Sequence, residues 1–280
     1  MKVDLHIHST ASDGRLTPED VVRLAAKKGL SVIAITDHDS VEGIAAALVA
    51  AEPFPSLTVI PGLEINTDIA NGEVHILGYF IDYENEELKH TLETLRRSRE
   101  IRARKMIAKL RKLGVEVQWQ RVQKLAGGGS IGRPHIAQAM SERGYVSSLQ
   151  EAFTKYIGRQ GPAYAERERL SPEEAVKLVA KAGGLPVMAH PADTDGLEGL
   201  LIQLKGVGLV GLEVYYNGYG QQTIHRLVDL ANKHGLLTSG GSDFHGLEGN
   251  ETPLGGIDVP LDCAQRLIAL AEQREKVVTR

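Results

Sequence analysis

The feature that most constrains the fold of this sequence is a set of short apolar segments that end in histidine or acidic residues. Val3, Leu5 and Ile7 alternate with Asp4 and His6, and this period of two predicts a β-strand. Helical patterns separate most of the other predicted strands, which are 31–35, 57–61, 73–80, 185–189, 207–214 and 236–239. Strands that alternate with helices form parallel βαβ units, so this succession predicts an α/β barrel related to the TIM type.

Local signals mark the ends of several of these elements. Thr17 and Ser171 each precede a proline, a pattern that predicts an N-cap followed by the first residue of a helix. Another helix is predicted over 41–51, between the second and third strands. The Asn71-Gly72 pair predicts a turn that joins the third strand to the fourth.

Residues 83–169 interrupt the alternation of strands and helices. Leu88, Leu92 and Leu95 fall at helical spacing, and later apolar residues continue the pattern, which predicts one long helix followed by shorter ones. We therefore expect a barrel made of residues 1–82 and 170–280. A helical insertion domain of residues 83–169 is expected to cover its site.

A strongly basic stretch lies in this insert. Residues 96–112 contain nine basic residues and a single acid, Glu100. Such a run is typical of a solvated helix face. The alternative is a basic wall that faces an anionic substrate.

Nine imidazole and carboxylate side chains lie at or beyond the ends of the predicted strands. His6 and His8 are two residues apart on a strand, so both project from one face. The carboxyl ends of barrel strands meet at one face, where this architecture places its chemistry. A lone histidine there is more often structural, but six of them with three carboxylates predict a metal site. The candidate ligands are His6, His8, Asp13, His38, Glu64, His75, His190, Asp243 and His245.

The types of ligand indicate which metals and reactions this set supports. Nine ligands suffice for two or three divalent ions. Imidazole and carboxylate without thiolate favour manganese, iron, zinc or cobalt, and we expect manganese, with iron or zinc as alternatives. Three carboxylates leave a charge of about +1 with two ions and about +3 with three, so a phosphate suits the site. Clustered metals lower the pKa of bound water and hold both oxygens of an in-line displacement, which predicts a hydrolase.

The motifs around these residues resemble those of the polymerase and histidinol phosphatase (PHP) superfamily. They are Asp-Leu-His-Ile-His-Ser-Thr at 4–10, Thr-Asp-His-Asp at 36–39, Gly-Leu-Glu at 62–64, Ala-His-Pro at 189–191 and Ser-Asp-Phe-His at 242–245. The resemblance covers the barrel residues and implies a distorted seven-stranded, (β/α)7 TIM-like barrel. It also implies three metal sites, held by His6, His8, Glu64 and Asp243, by Asp13, His38 and His245, and by Glu64, His75 and His190.

The segment from Gly127 to His135 is a second candidate anion site. A glycine-rich loop that enters a helix presents free N–H groups and the positive end of the helix dipole. Arg133 adds a bidentate phosphate donor, and His135 adds a donor or a proton carrier. We therefore expect Ser130, Arg133 and His135 to bind substrate, and Arg133 and His135 to be catalytic. The alternative is an ordinary capped helix.

The Gly-Arg-Pro-His sequence at 132–135 also resembles one branch of the superfamily, the nucleoside 3′,5′-bisphosphate phosphatases that act as 5′-to-3′ exoribonucleases. The resemblance implies removal of the 3′-phosphate from a nucleoside 3′,5′-bisphosphate. It also implies release of 5′-mononucleotides from short 5′-phosphorylated RNA. Tyr164 is a candidate for stacking on a base, with a packing role as the alternative.

Two other functions are compatible with the same motifs. The first is hydrolysis of a small phosphate monoester such as histidinol phosphate, for which the basic, glycine-hinged insert offers no obvious use. The second is a catalytically silent metal-binding accessory module, for which nine ligands are unnecessary.

Composition excludes several further classes of protein. The single Cys263 cannot form an internal disulfide, which suits a reducing compartment. No apolar run approaches the roughly 20 residues of a membrane helix, and Asp4 and His6 interrupt the stretch that a signal peptide would need. The net charge of −4 argues against a DNA-coating protein. We therefore expect a cytoplasmic enzyme that acts on a nucleotide bisphosphate or short RNA, with no membrane association and no DNA-specific binding.

Overall fold

One sheet of seven strands curls into a nearly closed barrel. The computed structural model describes residues 2–69, 72–127, 129–167, 169–247 and 251–278. The strands are β1 Lys2–Asp4, β2 Leu30–Ile35, β3 Thr58–Ile69, β4 Gly72–Tyr79, β5 Leu185–Met188, β6 Gly211–Tyr216 and β7 Leu237–Gly241, and they pair in that order. Beyond the outer strands the sheet approaches itself, since the Leu5 N–H donates to the Gly240 carbonyl at 3.1 Å and Ile7 bridges Phe244.

Helices cover the barrel and build the insert. Their bounds are α1 Pro18–Lys27, α2 Ile44–Ala51, α3 Glu86–Lys112, α4 Trp119–Ala126, α5 Arg133–Glu142, α6 Leu149–Ala152, α7 Pro172–Lys181, α8 Leu197–Gly206, α9 Gln221–His234 and α10 Leu261–Val278. Thr17 and Ser171 cap α1 and α7 as the sequence predicts, each accepting a bond from a backbone N–H of the first turn. Among the described residues, no helix combines the length and apolar character that crossing a bilayer demands.

The strand β4 runs against both of its neighbours. The pairs β1–β2, β2–β3, β5–β6 and β6–β7 are parallel, whereas β3–β4 and β4–β5 are antiparallel. The predicted α/β barrel of distorted TIM type is confirmed. The antiparallel β3–β4 pair agrees with the pairing predicted across Asn71-Gly72, and β4 is the exception to the parallel βαβ units predicted for the rest of the barrel. Too few residues separate β3 from β4 for the crossover that parallel strands need. Asn71 of the predicted turn lies outside the described residues.

Several predicted element bounds differ from the structure. β1 ends at Asp4, so His6 and His8, predicted to lie on this strand, lie just beyond it. β3 continues to Ile69 instead of ending near residue 61, so Glu64 lies within the strand and pairs with Leu77. β6 begins at Gly211 rather than at 207, because residues up to 206 still belong to α8. The helix predicted over 41–51 begins at Ile44, after Gly43.

Two apolar cores meet along α3. Its first turns place Leu88, Leu92 and Leu95 in the core that lies between the barrel and its helices. Its later turns place Met106 and Leu110 in a separate core with α4, α5 and the segment up to residue 165. The packing therefore passes from barrel to insert within α3, and the division of the chain at residues 83 and 169 stays a prediction.

Candidate metal centre and arginine cavity

All nine predicted ligands converge at one end of the barrel, and we call them the ligand cluster. The segments that follow β1, β2, β5 and β7 bring all of them except Glu64 in β3 and His75 in β4. His75 lies near the beginning of its strand, not at a carboxyl end as predicted. Because β4 is antiparallel to β3, its first residues reach the same end of the barrel, and His75 pairs with Asn66.

Glu64 lies at the centre of the ligand cluster. Its Oε2 is 3.2 Å from His8 Nε2 and 3.0 Å from His38 Nδ1. Its Oε1 is 2.7 Å from His75 Nδ1 and 3.1 Å from His190 Nε2. The carboxylate is buried and faces imidazoles from four different segments, so it is placed to bridge two metal ions.

Two aspartates close the cluster on the opposite side. Asp243 Oδ1 lies 3.3 Å from His6 Nε2 and 3.0 Å from His8 Nε2, while its Oδ2 accepts a hydrogen bond from the Tyr216 hydroxyl at 2.8 Å. Asp13 Oδ1 lies 3.4 Å from His245 Nε2. Asp243 has a positive φ of 54°, a strained conformation that turns its side chain back towards β1.

Three groups of these side chains bring ligand atoms within 4.8 Å of one another. They are His6, His8, Glu64 and Asp243; His8, Asp13, His38 and His245; and His38, Glu64 and His75. The first group is the same as one site implied by the family resemblance, and the second adds His8 to another. His190 belongs to none of the three groups, although its Nε2 is 3.2 Å from His75 Nδ1. The assignment of each ligand to one ion stays a prediction.

The chemistry of these side chains fits divalent metal ions. Both ring nitrogens of His8, Asp13 Oδ1 and His38 Nδ1 are buried without a hydrogen-bond partner among the described residues. Buried polar atoms normally have partners, so atoms left without one in a cluster of nitrogen and oxygen donors indicate a missing cation. The donors are the hard and intermediate ligands that manganese, iron and zinc prefer.

The electrostatics of the cluster favour cations as well. Burial lowers the pKa of His38 to about 3, so this imidazole is neutral and able to coordinate. Burial also disfavours protonation of His75, but the neighbouring Glu64 outweighs it and raises the pKa of His75 to about 9. His38 and His245 hold the pKa of Asp13 well below its usual range despite burial. Carboxylates that stay ionised when buried create the negative potential that attracts metal ions.

Two further buried aspartates hold the loops that carry the ligands. Asp37 accepts hydrogen bonds from the backbone N–H and hydroxyl of Ser9, both at 2.7 Å, and fixes the loop that leads to Asp13. Asp4 accepts from the Ser242 N–H at 2.9 Å and the Ser242 hydroxyl at 2.6 Å, next to Asp243. Asp4 therefore positions a ligand loop, and its contacts are to backbone N–H groups and a serine, not to an imidazole.

A cavity of about 130 Å³ adjoins the ligand cluster, and we call it the arginine cavity. Its walls include the candidate ligands Asp13, His38 and His75 on one side. Five guanidinium groups line the rest, from Arg99, Arg102, Arg133, Arg167 and Arg169. The volume is roughly ten times the space that one water needs, and a concentration of positive charge beside a metal centre suits a phosphate group.

Carboxylates hold four of these arginines in place. Asp39 lies between Arg99 and Arg167, at 2.6 and 3.2 Å from a guanidinium nitrogen of each. Glu73 makes the same kind of bridge, at 3.1 Å from Arg133 and 2.9 Å from Arg169. With Asp68, 2.6 Å from Arg169, three acids serve four of the five arginines and fix these guanidinium groups before any ligand binds.

Arg102 differs from the other four arginines. It is only 4 % exposed, and it forms no ion pair with a described carboxylate. Burial and the neighbouring guanidinium groups lower its pKa to about 8. A buried cation surrounded by like charges is unfavourable in the free protein, so a bound anion would stabilise it strongly.

The glycine-rich segment leads into α5 beside both regions. The Gly132 N–H donates to His135 Nδ1 at 3.0 Å, which closes the first turn of α5. His135 is buried, and burial lowers its pKa, so its ring is neutral with the remaining proton on Nε2. The Ser130 hydroxyl is buried without a hydrogen-bond partner among the described residues. The predicted capped helix is present, whereas contacts of these residues with substrate stay a prediction; Gly128 lies outside the described residues.

The other predicted contacts lie farther from the ligand cluster. In the basic stretch 96–112, Arg99 and Arg102 are buried at the arginine cavity, and the remaining basic residues lie outside its walls. The solvated helix face therefore describes the residues outside the cavity, and the basic wall stays a prediction for Arg99 and Arg102. Tyr164 is half-buried, its carbonyl accepts a bond from Lys109 Nζ, and its side chain does not line the arginine cavity.

Sequence reasoning missed Arg167, Arg169, Asp39, Glu73 and Glu213. The first two had only one signal in the sequence, the alternation of opposite charges over 166–169. Glu213 is a single carboxylate within the apolar strand Gly-Leu-Glu-Val-Tyr-Tyr, which is unusual for a buried strand. Asp39 and Glu73 resemble ordinary polar residues in the sequence, and only their arginine partners distinguish them.

Comparisons with known proteins agree with this geometry. The PHP domain family model matches residues 4–182. The 3′,5′-nucleoside bisphosphate phosphatase of Chromobacterium violaceum is 34% identical over 248 residues, covering 87% of both chains. The 5′-3′ exoribonuclease Rnm of Salmonella typhimurium is 34% identical over 247 residues, covering 86% of this chain and 84% of the relative. A crystal structure from Bifidobacterium adolescentis, assigned as a metal-dependent phosphoesterase, superposes with a TM-score of 0.87 at 30% identity over 95% of each chain.

Proposed function

This chain belongs to the PHP domain family, and on that basis we propose that it is a metal-dependent phosphoesterase acting on nucleotides. Its reaction is hydrolysis of the 3′-phosphate of nucleoside 3′,5′-bisphosphates. It also releases 5′-mononucleotides from short 5′-phosphorylated RNA. One similar protein is named for the first activity and another for the second, which supports both assignments.

The observation that carries this proposal is the direct contact between the ligand cluster and the arginine cavity. Asp13, His38 and His75 belong to the cluster and also form a wall of the cavity. A phosphate in the cavity therefore lies beside the metal centre, which is the arrangement that phosphoester hydrolysis requires. The alternative of a silent accessory module has no use for such a cavity.

The ligand cluster would hold two or three divalent ions, and we favour manganese over iron or zinc. Metal ions in such clusters lower the pKa of water and stabilise charge on the attacking and leaving oxygens of phosphate. Glu64 faces imidazoles on both of its oxygens, so it is the residue that would bridge two ions. Asp13, Glu64 and Asp243 stay ionised when buried and supply the negative charge that retains the ions.

The arginines bind and orient the phosphate. Arg102 provides a buried guanidinium that forms no ion pair with a described carboxylate, so it is placed to pair with an anion. Arg133 is the first residue of α5 and pairs with Glu73. Its planar guanidinium would bind two oxygens of the phosphate at once. Positioning of this kind accounts for much of the catalysis of phosphoryl transfer, because the reaction needs little covalent chemistry from the protein.

His135 and Ser130 complete the proposed substrate contacts. With Nδ1 bound to the Gly132 N–H, His135 retains a donor at Nε2 for the leaving oxygen or a phosphate. The Ser130 hydroxyl has an unused hydrogen-bonding capacity next to α5. Tyr164, near the end of the insert, is the proposed stacking platform for a base.

A direct assay tests the proposed function. Purified protein with Mn²⁺ should convert adenosine 3′,5′-bisphosphate to AMP and phosphate, and it should release 5′-mononucleotides from a 5′-phosphorylated oligoribonucleotide. Histidinol phosphate in the same assay should react far more slowly, since it offers one phosphate only. Absence of hydrolysis with manganese, iron and zinc would refute the proposal. Faster hydrolysis of histidinol phosphate than of adenosine 3′,5′-bisphosphate would show that the substrate is a small phosphate monoester instead. The single reduced Cys263 is consistent with our placement of the enzyme in the cytoplasm.

A further inference from the structure

A fully buried carboxylate lies beneath the ligand cluster, outside the nine candidate ligands. Glu213 is 0 % exposed, and no described lysine or arginine forms an ion pair with it. Its Oε1 is 3.0 Å from His6 Nδ1, and its Oε2 accepts the backbone N–H of His190 at 2.7 Å. An isolated buried carboxylate is costly unless its partners compensate it, so its presence here requires an explanation.

The local structure of β6 directs this side chain into the barrel. Leu212 and Val214, on either side of Glu213, are buried in the core between the barrel and its helices. Successive strand residues point to opposite faces, so Glu213 points to the barrel interior. The register with β7 shifts between Glu213 and Tyr215, and an irregularity of this kind re-aims side chains near functional sites.

Each oxygen of Glu213 fixes a different candidate ligand. Because the carboxylate accepts the Nδ1–H of His6, the lone pair of that imidazole lies on Nε2, which faces Glu64 and Asp243. The other oxygen holds the backbone of His190, whose φ of +26° is strained for a residue with a side chain. That backbone conformation places His190 Nε2 at 3.1 Å from Glu64 Oε1.

We propose that Glu213 is a positioning residue that orients ligands of two different metal ions at once. It sets the tautomer and ring orientation of His6 and the strained backbone of His190. Loss of its carboxylate should therefore weaken metal binding at more than one position, although Glu213 itself touches no ion. This role depends on the metal sites of the proposed function, so the test includes a variant that examines those sites separately.

The substitution Glu213→Gln is nearly isosteric and discriminates between the roles. Glu213 accepts hydrogen bonds at both oxygens, whereas a glutamine has one acceptor oxygen and one donor NH₂ group. In either orientation the amide presents a donor to the His6 Nδ1–H or to the His190 N–H, so one of the two contacts is lost. Tyr79→Phe is the matched control, because Tyr79 is also fully buried in the barrel and its hydroxyl bonds to Leu5 O and Ser239 Oγ and, among the described residues, to no candidate ligand.

Metal content and affinity are measured on wild type, Glu213→Gln, Tyr79→Phe and His8→Ala. Each protein is stripped of metal, loaded with Mn²⁺, and examined by elemental analysis and titration calorimetry, and the melting temperature of each metal-free protein is recorded. Glu213→Gln should bind Mn²⁺ about 10–100-fold more weakly, the usual effect of losing an outer-shell partner. Tyr79→Phe should bind Mn²⁺ like the wild type.

The outcomes test the positioning role of Glu213 and the metal sites separately. If Glu213→Gln keeps wild-type stoichiometry and affinity, or if Tyr79→Phe loses as much as Glu213→Gln, the positioning role is wrong. If His8→Ala keeps its full metal content, the metal sites themselves are wrong. Should Glu213→Gln fail to fold, Glu213→Asp replaces it: this variant keeps the charge but withdraws both oxygens by about one bond length, so it should also bind Mn²⁺ more weakly, and wild-type affinity would again overturn the role.

Discussion

The ligand cluster and the arginine cavity share a wall but are built in different ways. The cluster comes from barrel strands and the segments that follow them, and only Asp13 lies far along such a segment. The cavity comes from the middle of α3, the first turn of α5 and the segment before α7, which are far apart in sequence and in type of structure. The barrel alone determines the first region, whereas the second depends on how the insert packs against the barrel.

The two regions also differ in electrostatic design. In the cluster, three ionised carboxylates face six imidazoles, a set of ligands suited to cations. In the cavity, Asp39, Asp68 and Glu73 pair with four of the five arginines, and Arg102 forms no ion pair with a described carboxylate, which suits an anion. Metal ions in the first region and a phosphate in the second would compensate both sets of buried groups.

The largest expected effect tests the ligand cluster. His8→Ala should reduce kcat/KM for adenosine 3′,5′-bisphosphate by about 10³-fold or more, since metal ions contribute several kcal/mol of transition-state stabilisation and 1.4 kcal/mol corresponds to about a factor of ten. His8 approaches both Glu64 and Asp243, so its loss affects the centre of the cluster. Asp243→Ala is the companion variant. Circular dichroism should show an unchanged fold for both, and wild-type turnover in both would make the metal assignment untenable.

A smaller effect is expected from the arginine cavity. Arg102→Met should lower kcat/KM by about 10–150-fold, because a hydrogen bond to a charged group contributes about 1.5–3 kcal/mol. The same variant should raise the melting temperature of the free protein by a few degrees, because it removes a buried charge that forms no ion pair with a described carboxylate. Lys105→Met, an exposed change on the same helix, is the control for net charge. A destabilised Arg102→Met would show that the guanidinium serves the fold rather than the anion.

The contrast between the two regions explains which residues of the site could be predicted from the sequence. The nine candidate ligands were recognisable because histidine at the end of an apolar run is rare and because parallel strands bring their carboxyl ends together. His75 was recognised although it does not lie at a carboxyl end, since a side chain at the beginning of an antiparallel strand reaches the same end of the barrel. The prediction of these ligands therefore depended more on the composition of the strand ends than on the direction of the strands.

Arginines lacked a comparable signal. Arg99 and Arg102 belong to a stretch that reads as a solvated face, and which of its basic residues is buried depends on how α3 is rotated against the barrel. Arg167 and Arg169 lie in a segment without regular structure, so neither helical nor strand periodicity marks their direction. Long-range packing decides these positions, and it cannot be obtained from local pattern alone.

Arg133 tests whether geometry or charge matters at the mouth of the cavity. Arg133→Lys keeps the charge but loses the planar fork that binds two oxygens at once, so kcat/KM should fall by about tenfold. Arg159→Lys is the matched control, because Arg159 also pairs with an acid of the β3–β4 hairpin but does not line the arginine cavity. Equal rates for Arg133→Lys and wild type would mean that only the charge of this residue is needed. The cavity would then bind anions without selecting them by geometry.

The smallest expected effect separates capping from catalysis at His135. Asn has an oxygen near the position of His135 Nδ1, so His135→Asn should preserve the bond from the Gly132 N–H and the stability of α5, while loss of the Nε2 donor should lower kcat by about 2–10-fold. His135→Ala removes both and should also destabilise the protein by about 1 kcal/mol, as loss of a helix cap does. If His135→Asn has wild-type kcat, the residue only caps α5 and another group protonates the leaving oxygen. A cap with no catalytic role would still matter, because α5 begins beside both the ligand cluster and the arginine cavity. The cap would fix the angle at which Arg133 approaches the phosphate.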